Sequence, residues 1–359
     1  MSKSTLFLFI AAGALVCPSS SCRASEQKSS APAVLQTANN SIDPATLKSL
    51  LGDSAEITET DHFAIVHEGA AKYVPGTSRT LERAYQRFYD AFSRAGFEVA
   101  PSHSRLVWIC FPQQSGFNKY AMEAEGTDLS WLDSYYSTLT NRVAIVEPSP
   151  RLLERGETEA SLALSTPVAL AAREGVLPLS TSGPPLDTAR LTHELAHQLA
   201  FNSGLQKRGV MYPFWVSEGL ATNFEFESLS GSGFEQCSTA RRACLIKMRD
   251  AGELVPLRQF IVQTKVPADT ARSRRHYAQA WAFFQFMLTQ HGEDLRGYLH
   301  HIAVLPPGQR MTTVLLHEFT DAFGSPEEIE DSWNAFLDRQ AQQALAPADS
   351  ASASPTARK

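Results

Sequence analysis

The residues with the clearest chemistry are His193, Glu194 and His197, within the stretch His193-Glu194-Leu195-Ala196-His197. On a helix, residues four apart share one face about a turn apart, so both imidazoles can reach a single metal ion. Glu194 follows the first histidine directly, where its carboxylate can touch a water on that ion without ligating it. A catalytic zinc site needs three protein ligands and one open position. Glu218, in Phe214-Trp-Val-Ser-Glu-Gly-Leu-Ala221, is the third candidate. Its distance from His197 lets the first helix end, the chain reverse between Gly204 and Pro213, and a second helix return antiparallel. Glu225 and Thr222 follow on that second helix, and either could orient a ligand histidine from behind. Both read equally well as ordinary helix-surface residues.

The elements that must hold these residues follow from pattern and punctuation. Pro184, Pro185 and the candidate cap Asp187 open a helix over 188–202, and Gly204 closes it. Leu191, Leu195 and Leu199 repeat every four residues, which suits a helix buried in the domain. A second helix begins near Trp215, and others are expected at 240–250, 276–291, 293–303 and 326–344. Upstream, His62–His67, Leu106–Phe111 and Arg142–Glu147 read as strands. Leu81, Tyr85, Phe88 and Phe92 mark a helix over 78–95 that stops before Gly96. The expected class is α+β, a small N-terminal mixed sheet with a helix followed by a mainly helical region carrying the motif.

The chain has 359 residues, 43% hydrophobic and 19% charged, with a formal charge of −6. That is ordinary globular composition, with no Lys/Arg-dense stripe to neutralise nucleic-acid phosphates. Leu6 to Val16 is an unbroken apolar run after Lys3, of signal-peptide length and too short to span a bilayer. Residues 1–24 are therefore expected to be a signal peptide and the protein to be exported, to the periplasm, cell envelope or outside. An N-terminal lipid anchor on Cys17 or Cys22 is the alternative, although neither cysteine has Leu three residues before it. The remaining divisions are a linker or irregular stretch over 25–57, an α/β subdomain over 58–150, the helical subdomain over 151–345, and a disordered tail over 346–359. Within them, 151–186 reads as irregular or an inserted loop. Cys110 reads as a buried strand residue, and Cys237 and Cys244 as a loop-closing disulfide or two free thiols.

His193-Glu-Leu-Ala-His-Gln198 followed by Trp215-Val-Ser-Glu-Gly-Leu-Ala221 resembles the gluzincin metallopeptidases. It is especially similar to the peptidase-MA-like branch of uncharacterised exported bacterial proteins. The likeness extends to the strand-helix-strand block from His62 to Glu147 and to Tyr277-Ala-Gln-Ala-Trp281. It implies a zincin-like catalytic region holding one Zn2+ on His193, His197 and Glu218, with Glu194 as general base and a peptide or protein as substrate. It also implies that a downstream Tyr or His stabilises the oxyanion, for which Tyr277 is the first candidate and His276 the second. Arg142–Glu147 is then the candidate edge strand for an extended peptide. Two features depart from the family: its gap to the third ligand is often slightly shorter, and Thr222 stands where many members have an acidic residue.

Other pairings read as bland. His317, Glu318 and Asp321 lack a second histidine and are assigned to a helix surface. His300 and His301 are adjacent and point apart on a helix. Neither a Gly-x-Ser-x-Gly elbow nor a phosphate loop occurs. The function expected is zinc-dependent peptide hydrolysis, with endopeptidase action favoured over exopeptidase. A zinc amidase acting on cell-wall peptides and a non-catalytic envelope scaffold retaining the fold are the alternatives.

Overall fold

The computed structural model describes residues 46, 51–52, 54–68, 73–147, 188–225, 239–265, 270–306 and 310–345. The expected leader, most of the linker, the 151–186 stretch, Cys237 and the tail lie outside these residues. The first half contains β1 (Glu56–Glu59), β2 (Phe63–His67), α1 (Val74–Arg94), β3 (Leu106–Phe111), α2 (Gln114–Glu125), β4 (Ser134–Ser137) and β5 (Arg142–Val146). The second half is helical: α3 (Thr188–Asn202), α4 (Phe214–Asn223), α5 (Thr239–Asp250), α6 (Leu257–Phe260), α7 (Thr270–Gln290), α8 (Gly292–Val304), α9 (Thr312–Phe323) and α10 (Pro326–Leu345). The architecture is α+β as expected: a five-stranded sheet followed by a mainly helical region.

The strand order is β1-β2-β3-β5-β4. β2, β3 and β5 run parallel, while β1 and β4 pair antiparallel at the two edges. Successive side chains of a strand point to opposite faces, and each face of this sheet has its own helix. Phe63, Ile65, Leu106, Trp108, Val143 and Ile145 join one core with Leu81, Phe88 and Phe92 of α1 and with the helices of the second half. Val66, Val107, Ile109, Phe111, Ala144 and Val146 pack with Phe117, Tyr120 and Ala121 of α2 on the other face. Parallel strands covered on both sides are apolar throughout, and β2 and β3 are buried along their whole length.

This order corrects one expectation. Arg142–Glu147 is not the edge strand: it is β5, ending at Val146 and lying between β3 and β4. Its Val143, Ala144, Ile145 and Val146 are apolar towards both faces, as a flanked strand requires. The edge beside α3 is β4, four residues of sequence Ser-Tyr-Tyr-Ser. β1 likewise begins at Glu56, inside the expected linker.

α1 starts at Val74 rather than 78, because Pro75 sits in the first turn where its missing N–H does no harm. α7 begins six residues before the expected 276, its polar first turns hiding the apolar period. α4 is buried at every position from Phe214 to Asn223. Its fit against α7 depends on Gly219, where a Cβ would lie 2.7 Å from both Ala280 O and Phe284 Cβ. Trp215 stacks on Tyr298 of α8 and meets Phe283 of α7 edge-on, which extends this core through the helical half.

Cys110 is buried on β3, as its apolar run suggests. Cys244 is half-buried, with Sγ 4.0 Å from Met248 Sδ. His317 and Asp321 are exposed on α9, but Glu318 is buried and paired with Arg310 at 3.1 Å, so only part of that trio is surface. His300 and His301 are exposed. No helix among the described residues is long and apolar enough to cross a membrane.

Candidate metal centre

α3 carries two functional faces. Arg190, Glu194, Gln198 and Asn202 repeat every four residues and form a polar stripe against the sheet. Arg190 donates to the carbonyls of Asp133 at 3.0 Å and Val146 at 2.9 Å, and to Glu147 Oε1 at 2.8 Å. Glu194 Oε1 accepts from Ser134 Oγ of β4 at 2.9 Å. Gln198 Oε1 accepts from Trp108 Nε1 at 2.9 Å, while its amide donates to Val107 O and Asn141 O. Asn202 exchanges side-chain hydrogen bonds with Asn141, whose φ of 57° is one that asparagine tolerates in a turn. These buried hydrogen bonds fix the rotation of α3 and its height over the sheet.

That rotation turns His193 and His197 towards α4. Their Nε2 atoms lie 3.2 Å apart, with ring centroids separated by 4.8 Å. Glu218 comes from the neighbouring helix, with Oε2 3.4 Å from His193 Nε2 and Oε1 3.6 Å from His197 Nε2. The three side chains are buried, and one donor atom from each lies within 4.8 Å of the others. Behind His193, Nδ1 meets Glu225 Oε1 at 2.8 Å. An Nδ1–H donated to that carboxylate leaves the Nε2 lone pair aimed at the other ligand atoms. Glu225 is held in turn by Arg241 of α5.

The donor set fits a divalent cation. Two ring nitrogens and a carboxylate converge at distances where lone pairs repel unless something positive lies between them. Apart from these two imidazoles, neither oxygen of Glu218 has a hydrogen-bond partner among the described residues. With only protons to do this work, the site holds one tightly. Burial opposes charge on His193, yet hydrogen bonds to Glu218 and Glu225 outweigh it and push its pKa up to about 10. Burial opposes charge on Glu218 as well, but His197 and His193 hold its carboxyl down at about 2. A metal would take the place of that proton. Glu194 is different: burial raises its pKa against the pull of His193 and His197, the direction that favours a proton acceptor near neutrality.

Of the other expected residues, Tyr277 is buried on α7 with its ring 5.3 Å from Phe214 and 6.0 Å from the Arg241 guanidinium. Burial pushes its phenol well up, with the charges of Glu218, Glu194 and Glu225 adding to the effect. His276 turns away, its Nδ1 bonded to Arg272 O at 2.8 Å. Thr222 gives its hydroxyl to the carbonyls of Glu218 and Gly219 and does not reach a histidine. Between the two candidates for backing a ligand, Glu225 is the one in place.

Ser134, Arg190, Gln198 and Arg241 were not legible as site residues. For Arg190 and Gln198 the signal was the four-residue recurrence of polar side chains along α3, whereas Ser134 on β4 and Arg241 on α5 carried none. No curated protein matches the chain. Residues 187–308 match a family described as "Protein of unknown function (DUF1570)", and that span contains His193, Glu194, His197, Glu218, Glu225, Arg241 and Tyr277.

Proposed function

We propose that the protein is an exported zinc-dependent peptidase in which His193, His197 and Glu218 hold the metal and Glu194 is the general base. The reading rests on one observation: the convergence of three buried ligand atoms with a separately anchored carboxylate beside them. A site kept only to bind a metal has little use for Glu194 at that position. Zinc bound there would lower the pKa of a water and polarise the scissile carbonyl. Glu194, fixed through Oε1 by Ser134, keeps Oε2 for taking the proton of the attacking water and returning it to the leaving amine. The resemblance to gluzincins gives Tyr277 the role of donating to the developing oxyanion. β4 supports an extended substrate: it is the edge strand, it carries Ser134, and an edge can pair with a peptide backbone.

Metal analysis of the wild type beside His193→Ala and Glu194→Gln tests this reading. The wild type is expected to hold about one zinc per chain, the first variant none, and the second zinc without peptide hydrolysis. Hydrolysis by Glu194→Gln at the wild-type rate would end the catalytic assignment. A wild type that holds zinc but cleaves no peptide in a mixed library would favour the scaffold instead.

A further inference from the structure

Glu225 lies just past the end of α4 and serves two partners at once. Oε1 meets His193 Nδ1 at 2.8 Å, and Oε2 is held by the guanidinium of Arg241. Arg241 stands near the start of α5, a helix that contributes no ligand. The same guanidinium sits over the Tyr277 ring of α7. One side chain thus ties α5 to the end of α4 and to α7. The corner is only partly open to solvent, with side-chain exposures of 19% for Arg241 and 12% for Glu225.

We propose that Arg241 is a positioning residue of the metal centre, fixing Glu225 against His193 and thereby setting how tightly the site holds a divalent cation. The inference rests on the reading of His193, His197 and Glu218 as ligands. A carboxylate beyond a helix end, bonded only to one imidazole nitrogen, can swing and take the ring plane with it. A guanidinium supplies rigid, directed donors that hold a carboxylate plane in a way a lysine cannot. Charge points the same way. Glu194, Glu218 and Glu225 bring three negative charges to a buried dication, and Arg241 brings the total to zero.

One effect opposes this, because the guanidinium also repels the cation. It does so from the far side of a carboxylate and an imidazole ring, at a greater distance than the carboxylates that attract the ion, so the repulsion is the weaker effect. Loss of an orienting partner behind a ligand histidine typically weakens metal binding by roughly 10–100-fold. Orientation therefore wins.

The test is zinc affinity of the full chain, measured by competition with a chelator, which needs no turnover. Arg241→Ala should weaken zinc by about tenfold or more, and Arg241→Lys by less, because it keeps the charge and loses the fork. Glu225→Ala should weaken it at least as much as Arg241→Ala. The Arg241→Ala/Glu225→Ala double variant should be no weaker than Glu225→Ala alone, within about twofold, because the favourable effect of Arg241 runs through that carboxylate. Affinity unchanged in Arg241→Ala, or losses that simply add in the double variant, would overturn the proposal. Should Arg241→Ala fail to fold, Arg241→Lys decides: wild-type affinity in a folded lysine variant overturns it equally. A wild type that binds no zinc removes the metal reading and the inference with it, and is distinguished by that first measurement.

Discussion

Ser134 Oγ lies 2.9 Å from Glu194 Oε1, so the carboxylate beside the two imidazoles is anchored by the sheet rather than by its own helix. The proposed base and the candidate ligands are therefore oriented independently, Glu194 through β4 and His193 through Glu225. Removing the hydroxyl leaves the ligands untouched and frees the base. Ser134→Ala is expected to keep its metal and to lose about 5–10-fold in kcat/KM, the worth of one orienting hydrogen bond. Metal content and peptide hydrolysis on the same preparation check this, and loss of zinc in this variant would contradict the separation.

Tyr277→Phe separates packing from chemistry. The ring against Phe214 is preserved, so the melting temperature should change by no more than a few degrees. A phenol that donates to the oxyanion predicts a fall in kcat of roughly 10²–10³-fold with little change in KM. A variant as active as wild type would reduce Tyr277 to a core residue.

Gly219→Ala tests how closely α4 must approach α7. The added methyl would meet a backbone carbonyl and a Cβ, neither of which can swing aside. Overpacking of this kind costs about 1–3 kcal/mol. At ~2–4 °C per kcal/mol for a domain of this size, the melting temperature should fall by several degrees. Because Glu218 is the preceding residue, weaker zinc binding should accompany the fall.

Gln198→Ala removes the partner of Trp108 Nε1 and of two backbone carbonyls, all in the interior. Each buried group left unsatisfied costs about 1–3 kcal/mol. Urea denaturation should therefore show a loss of at least ~2 kcal/mol with an unchanged m-value. A loss below half that would mean that the site relaxes or admits water.

Metal removal should be read in the fold itself. The candidate ligands come from two helices, so a bound ion would link α3 to α4. At a free concentration of about 100 times Kd, binding stabilises by ~2.7 kcal/mol. Chelation should lower the melting temperature accordingly, and added zinc should restore it. Identical melting with and without chelator would argue that no ion is held.

The parts legible in the sequence were those whose logic is local. His193, Glu194 and His197 lie within one turn and a half, and the α3 boundaries at Thr188 and Asn202 follow from nearby residues and the glycine after them. Glu218 was reachable because one reversal of the chain separates it from His197. Glu225 was one of two choices, decided only when Thr222 proved to bond its own helix. The sheet order was not legible, because β5 was an obvious apolar run while β4, with only Ser-Tyr-Tyr-Ser, gave no comparable signal. Which of them lies at the edge depends on pairing across the fold. α2, whose apolar residues are spread through Gln114–Glu125, was missed for want of a clear stripe.

Arg190, Glu194, Gln198 and Asn202 also constrain what mutation can do to the length of α3. Each residue inserted or deleted turns everything beyond it by roughly 100°. A single deletion between Arg190 and Asn202 would strand polar groups against apolar neighbours, and one between His193 and His197 would also aim one imidazole away from its companion. Homologous chains that share this arrangement should therefore vary freely in their connecting loops yet keep the spacing of this helix fixed, residue for residue, from the arginine to the asparagine.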